Sequence, residues 1–279
     1  MSTSRHPVAL RLERRVGRGT KLLGTVMALP LVDGIFPALV LAGALSSALG
    51  ILEVGLLVFG GSATLAVVLA EMEGSRRERT EKVLLVGGLV TLVAAGEAAV
   101  APAIAELLNL WIFERFAALV ILAVAAKTVS ATIGEYLPSP GVIVGLGLIA
   151  SFDPAGASEA FSTAALATDP MLVARGAAAG AVGTAFALSA ALAGPALRRN
   201  VDLDRFRFGS AVALGVLPLE LLGVVESPVP LALSVLAVAC LLSLDPGGIP
   251  DPEPQGSVAA DGGENESEPE ADPERPPWL

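Results

Sequence analysis

The sequence predicts an all-α fold: a polytopic transmembrane helical bundle of about eight spans, followed by a disordered acidic tail. Three observations carry that prediction. Apolar residues make up 53% of the 279-residue chain and charged residues only 16%, where soluble globular domains average about 25% charged. Charge is also segregated. Residues 245–279 hold ten Asp and Glu and one Arg, Arg275, so the tail supplies −9 of the net −10, and residues 1–244 carry 18 acids against 17 bases. Finally, 14 of those 17 bases fall in three clusters, separated by two and then four apolar segments.

A helix needs roughly 20 apolar residues to cross about 30 Å of hydrocarbon. By that ruler the spans are 22–47, 52–70, 83–105, 111–134, 139–166, 171–195, 208–225 and 229–244; the fifth is interrupted and the last is short. The basic clusters test the count independently. Arg5, Arg11, Arg14, Arg15, Arg18 and Lys21 precede the first span, Arg76, Arg77, Arg79 and Lys82 lie between the second and third, and Arg198, Arg199, Arg205 and Arg207 lie between the sixth and seventh. The alternate connections, around 48–51, 106–110, 153–170 and 226–228, contain no Lys or Arg. This asymmetry sets both termini in the cytoplasm of a cell-membrane protein. Seven spans would put the Arg198–Arg207 loop and the tail on the wrong side.

Residues 1–21 form a basic cytoplasmic segment in which Val8, Leu12 and Val16 recur at helical spacing opposite Arg11, Arg14, Arg15 and Arg18, suiting an amphipathic helix on the inner leaflet. No cleavable signal is apparent, since the first apolar stretch is long and lacks a small-residue cleavage site. After residues 22–244, the transmembrane domain, the tail 245–279 is rich in Pro, Gly, Asp and Glu and has too little apolar surface to fold alone.

The two halves, 22–136 and 137–244, suggest two four-helix repeats: each offers four spans, joins its second and third through an Arg-rich loop, and ends in a span containing Leu-Ala-Val-Ala, at 122–125 and 236–239. Gly141-x-x-x-Gly145 and Gly176-x-x-x-Gly180, continuing to Thr184, place small residues on one face for close helix contact, within the chain or between two copies in a homo-oligomer. Trp111, Phe113 and Phe116 read as an interfacial belt, with Glu135-Tyr136 as its inner counterpart.

The informative residues are those a bilayer excludes. Asp33, Glu97, Asp153 and Glu220 each fall about 16–21 Å from the cytoplasmic end of their spans at about 1.5 Å per residue, and Lys127 lies well inside the fourth. Charges there usually face a protein interior or a wet cavity. Asp33 sits between Pro30 and Pro37 beside Gly34, and Asp153 precedes Pro154, so both mark helix breaks. Paired breaks are a pointer to a substrate or ion site in transporters. Asp33 and Asp153 are therefore expected to line a central site, Glu97 and Glu220 to carry coupling protons or cations, and Lys127 to serve as counter-ion or substrate contact. The competing reading is that these charges only fix helix packing. Glu53, Glu106, Glu114, Arg115, Glu159, Asp169 and Glu226 lie near the outer boundary and call for no function.

One Cys, Cys240, and one His, His6, exclude a structural zinc site of the usual kind, Cys–His catalysis and a Ser–His–Asp triad. Gly145-x-Gly147 and Gly180-x-x-Gly183 lack the βαβ context of a nucleotide fingerprint. No enzymatic activity, cofactor, metal or nucleic-acid partner is expected; the expected partners are the bilayer, a small ion or solute, and a second copy of the chain.

With its acidic tail, its Arg-rich inner loops and its 15 Arg to three Lys, the sequence resembles the multi-pass membrane proteins of unknown function found in haloarchaea. That resemblance implies no activity. Asp33-Gly34 and Asp153-Pro154 inside spans give a looser similarity to small exporters of the lysine-exporter and tellurium-resistance type. Their fuller motifs are missing here, and no ligand residue is carried over.

Overall fold

The computed structural model describes residues 17–72, 74–155, 169–225, 227 and 229–245. The expected amphipathic segment before Gly17 and the acidic tail lie outside the described residues, as does the second half of the fifth expected span. Among the described residues the architecture is all-helical: α1 Arg18–Val32, α2 Ile35–Leu41, α3 Ala48–Val54 continuing into a π-helical turn Gly55–Phe59, α4 Ser62–Ala70, α5 Arg76–Ala105, α6 Leu110–Val129, α7 Ala131–Tyr136, α8 Pro140–Ser151, α9 Pro170–Asn200, α10 Leu203–Leu221 and α11 Leu231–Leu242.

Helix starts follow from local chemistry. Ser75 and Glu78 close a capping box on α5, so that Glu78, held by Ser75, titrates below the ordinary carboxylate range. Asn109 caps α6, Asp169 caps α9 just before Pro170, and Asp202 caps α10. Breaks follow from glycine. Asp33 is the C-cap of α1 and Gly34 takes φ +78°, a backbone that L side chains rarely adopt, so α1 and α2 meet at 41°. The α3–α4 pair bends by 49° across Gly60-Gly61, just after the π turn, and the buried Thr64 hydroxyl donates to the Phe59 carbonyl at 2.8 Å.

Among the described residues two helices, α5 and α9, are long and apolar enough to cross a membrane, and up to four spans result if each bent pair, α1–α2 and α3–α4, crosses as one. The expectation of about eight full spans is corrected accordingly. The reasons are length and charge. Helices α8 and α11 have 12 residues each, about 18 Å; α6 carries Glu114, Arg115 and Lys127, and α10 carries Asp204, Arg205, Arg207 and Glu220.

The core is an antiparallel α5–α9 pair whose register is set by small residues. A Cβ on Gly176 would meet Ala98 at 2.6 Å, one on Gly180 would meet Thr91 at 2.8 Å, and one on Gly87 would meet Thr184 at 2.2 Å. The 176/180/184 stripe is thus an intramolecular seam. Gly183 packs on Phe59 and Gly55 on Val182, which seats the π turn on α9. Phe36 and Phe59 meet beside it, their ring centroids 5.2 Å apart. A Cβ on Gly145, by contrast, would meet nothing within 4 Å, and α8 packs on α6 through Gly147 against Phe116. Phe113 and Phe116 are packing residues rather than a belt: Phe113 is buried, while Trp111 is 64% exposed and stacks under Arg115 at 3.4 Å.

One end of this unit gathers basic residues. Arg18 pairs with Glu71 at 3.7 Å, a Cβ on Gly19 would meet the Glu71 carbonyl, and Arg79 lies against Gly194 one turn before Arg198 and Arg199. The other end is closed by the Asn109 N–H to Ser151 carbonyl bond at 2.6 Å and the Asp153 N–H to Leu107 carbonyl bond at 2.8 Å. The two halves differ in their packing. Helix α10 packs along α11, whereas the corresponding α5 and α6 make no comparable contact.

Candidate functional site

The five intramembrane charges expected from the sequence do not converge. Asp33 is half-buried at the α1–α2 break, and its carbonyl faces Gly141 in the first turn of α8. Asp153 follows the last turn of the same helix. It is exposed, and its Oδ1 accepts from the Ala155 N–H at 3.0 Å in an Asx turn. The 12 residues of α8 hold the two aspartates about 18 Å apart along the axis. They therefore flank one short helix rather than face each other across a central site.

Lys127 lies at the near end of α8 too. Its Nζ donates to the Pro138 carbonyl at 3.0 Å, and its stem packs against Gly134, so it braces the turn that leads into α8. It forms no ion pair with Asp33. Among the described residues the ion pairs are Arg18–Glu71, Arg77–Glu81 and Arg205–Asp202, and none involves the five charges. Glu97 is half-buried in the upper part of α5, one residue before the Ala98 that meets Gly176, and its Oε2 is buried without a hydrogen-bond partner.

Glu220 is the residue that acquires a neighbour. In the last turn of α10 its Oε1 accepts from the Leu231 N–H, the first residue of α11, while its Oε2 is buried and unpartnered. Glu53 approaches it from α3. Glu53 is only 7% exposed, lies close enough to Glu220 for their charges to interact, and leaves its Oε1 without a hydrogen-bond partner. The N-cap of α11 is Pro230, which offers no side-chain acceptor. The N–H groups of that first turn would otherwise be orphaned, and Glu220 supplies an acceptor for one of them. The arrangement brings two carboxyl groups, each with one buried oxygen lacking a partner, to the positive end of a helix.

Sequence reasoning passed over Glu53 because it lies close to the start of its apolar segment, where an acid is unremarkable. The usable signal was the pairing of one acid in 52–70 with one in 208–225, beside a Pro-capped helix start. Among the described residues no three His, Cys, Asp or Glu side chains lie together as a metal site.

The sequence profile of a family of unknown function, DUF5794, matches residues 90–222, just under half of the chain. The matched stretch runs from the middle of α5 to the end of α10 and includes Glu97, Lys127, Asp153 and Glu220 but neither Asp33 nor Glu53. No curated protein and no solved structure matches the chain.

Proposed function

We propose that this chain is a cell-membrane protein, with its basic end cytoplasmic, that moves a small ion or solute as a secondary transporter or exporter. The membrane reading is supported by the outer surface of the long helices. On α5, Leu84, Leu85, Leu89, Leu92, Val93 and Val100 are all exposed, an aliphatic face that hydrocarbon would solvate and water would not. Segregation of Arg76, Arg77, Arg79, Arg198 and Arg199 to one end supports the orientation.

The single observation that carries the transport reading is the Glu53–Glu220 pair on the start of α11. Buried unpartnered carboxyl oxygens are costly in a packed interior. They are retained where the group must exchange a ligand, and here they adjoin a π turn and a bent helix pair, the irregular backbone typical of transport sites. Glu220 keeps its expected role as an ion-coupling acid, and Glu97 is a second candidate further along the bundle. The composition of the chain, with Arg favoured over Lys, fits a haloarchaeal source.

A second reading, a non-transporting membrane scaffold, draws on Lys127 and Asp153, whose polar atoms are satisfied by local backbone in purely structural ways. Purified protein in proteoliposomes separates the two. A transporter gives ion or solute flux above empty vesicles that falls at least tenfold in Glu220→Gln; a scaffold gives vesicle-level flux in both.

A further inference from the structure

The start of α1 gathers hydrogen-bond donors and cations around one cavity. Its N-cap is Gly17, which has no side chain to accept from the first turn, and the turn's own bonds run from the Thr20 and Lys21 N–H groups to the Gly17 carbonyl. The Arg18 and Gly19 N–H groups are left without an intrahelical acceptor. This turn opens on a cavity of about 320 Å³, walled by residues 17–20 of α1, residues 70–72 at the end of α4, and Lys82 of α5. Thr20 is 3% exposed and its Oγ1 is buried without a hydrogen-bond partner, a costly state for a hydroxyl. A Cβ on Gly24 would lie 4.0 Å from Val86; with Lys82 level with the first turn, α1 and α5 run side by side in one direction. Arg79 lies seven residues before Val86, two turns away on the same face of α5. It is buried, its Nε has no partner, and neither it nor Lys82 forms an ion pair among the described residues.

The acids beside the cavity are already engaged. Glu71, on its wall, pairs with Arg18 at 3.7 Å, Glu78 is held in the Ser75 capping box one turn before Lys82, and Glu81 pairs with Arg77 at 2.9 Å. The other charges of the packed elements are Lys21 on α1, Arg76 on α5, and Arg198 and Arg199 at the end of α9, all exposed. Helix α10, which packs on α4, starts at Asp202, Asp204, Arg205 and Arg207; Asp202 pairs with Arg205, and none of these, nor Asp245 after α11, lines the cavity. We propose that this cavity binds a phosphate group, either free or on a lipid headgroup. A tetrahedral oxyanion can give one oxygen to the Arg18 and Gly19 N–H groups, a second to the Thr20 hydroxyl and a third to Lys82, at a helix end that favours negative charge. Arg79 adds positive charge from the same face of α5. A carboxylate has only two oxygens for those three sets of donors and leaves one of the two unpaired cations unmatched. The site is remote in sequence from the acids of the transport reading and does not rest on it.

The full chain in detergent micelles tests this, its thermal midpoint followed in sodium phosphate and in sodium chloride of equal ionic strength. Phosphate should raise the wild-type midpoint above its value in chloride. The half-saturating phosphate concentration should rise about tenfold or more in Thr20→Val and in Lys82→Gln. Without phosphate, Thr20→Val should melt no lower than wild type, since the hydroxyl it removes has no partner. If Thr20→Val fails to fold, Lys82→Gln, at a half-buried position without an ion pair, decides alone. A second arm places the protein in phosphatidylcholine nanodiscs with and without phosphatidic acid. A midpoint raised by phosphatidic acid but not by inorganic phosphate, and lowered again in both variants, assigns the site to a lipid headgroup. A response to inorganic phosphate that the variants lose assigns it to the free anion. Equal midpoints in phosphate and chloride, with no response to phosphatidic acid, overturn the site. So does a response to either probe that both variants keep at wild-type strength.

Discussion

The α5–α9 pair and the α3–α10–α11 junction solve opposite problems with the same amino-acid supply. Helices α5 and α9 run unbroken for 30 and 31 residues, satisfy their own backbone and meet through Gly, Ala and Thr. The junction is made of a π turn, a bent pair and a 12-residue helix with no capping side chain, and the Glu220 carboxyl meets the first of its loose N–H groups. Continuity yields rigidity without chemistry. Interruption leaves an N–H group that holds an acid inside an apolar stretch of the chain.

The contrast can be broken most severely at the seam. A Cβ on Gly87 would sit 2.2 Å from Thr184, whereas the adjacent Gly88 is exposed with nothing within 4 Å. Gly87→Leu should abolish recovery of monodisperse protein from membranes, while Gly88→Leu should equal or exceed wild type, gaining up to about 1 kcal/mol in helix propensity. Equal yields from both would mean the seam is not closely packed. At the junction, Glu220→Ala strips the Leu231 N–H of its acceptor and should cost about 1–3 kcal/mol, read as a lowered thermal midpoint in detergent, with Glu220→Gln recovering most of it.

Smaller effects sharpen the picture. Thr64→Val removes the bond that satisfies the Phe59 carbonyl beyond the π turn and should cost about 1 kcal/mol, without the loss of yield expected at Gly87. Ser75→Ala opens the capping box of α5 for about 1 kcal/mol or less. Because Glu78 is held below its ordinary pKa by Ser75, the stabilisation it contributes is present above the unfolded carboxylate pKa and is lost as pH falls through the lower, folded one. In Ser75→Ala the acid limb of the stability profile should flatten.

Much of this was readable from residues alone. The all-helical class, the break at Asp33-Gly34 and the seam at Gly176, Gly180 and Thr184 all follow from local rules: αL glycine, small-residue spacing and helix length. The span count did not survive, because a hydropathy ruler adds residues across breaks such as Ser130 and Phe152 that end helices α6 and α8 early. The site was half legible. An acid in an apolar run announces itself, which singled out Glu220 and Glu97, but its partner is decided by which helices pack together, and nothing in the neighbourhood of Glu53 encodes the approach of α10. The suggested repeat misled the pairing of Asp33 with Asp153, since similar sequence offsets fell on a helix break in one half and on an exposed helix end in the other.

The central claim is that function resides in the Glu53–Glu220 junction and not at the aspartates flanking α8. Proteoliposomes loaded with a pH-sensitive dye and given an inward proton gradient test it directly, comparing wild type with Glu53→Gln and Glu220→Gln on one side and Asp33→Asn and Asp153→Asn on the other. The account predicts proton entry in wild type, loss of at least tenfold in both glutamine variants and retention within about twofold in both asparagine variants. Full activity in Glu53→Gln and Glu220→Gln, with loss in Asp33→Asn and Asp153→Asn, would contradict it.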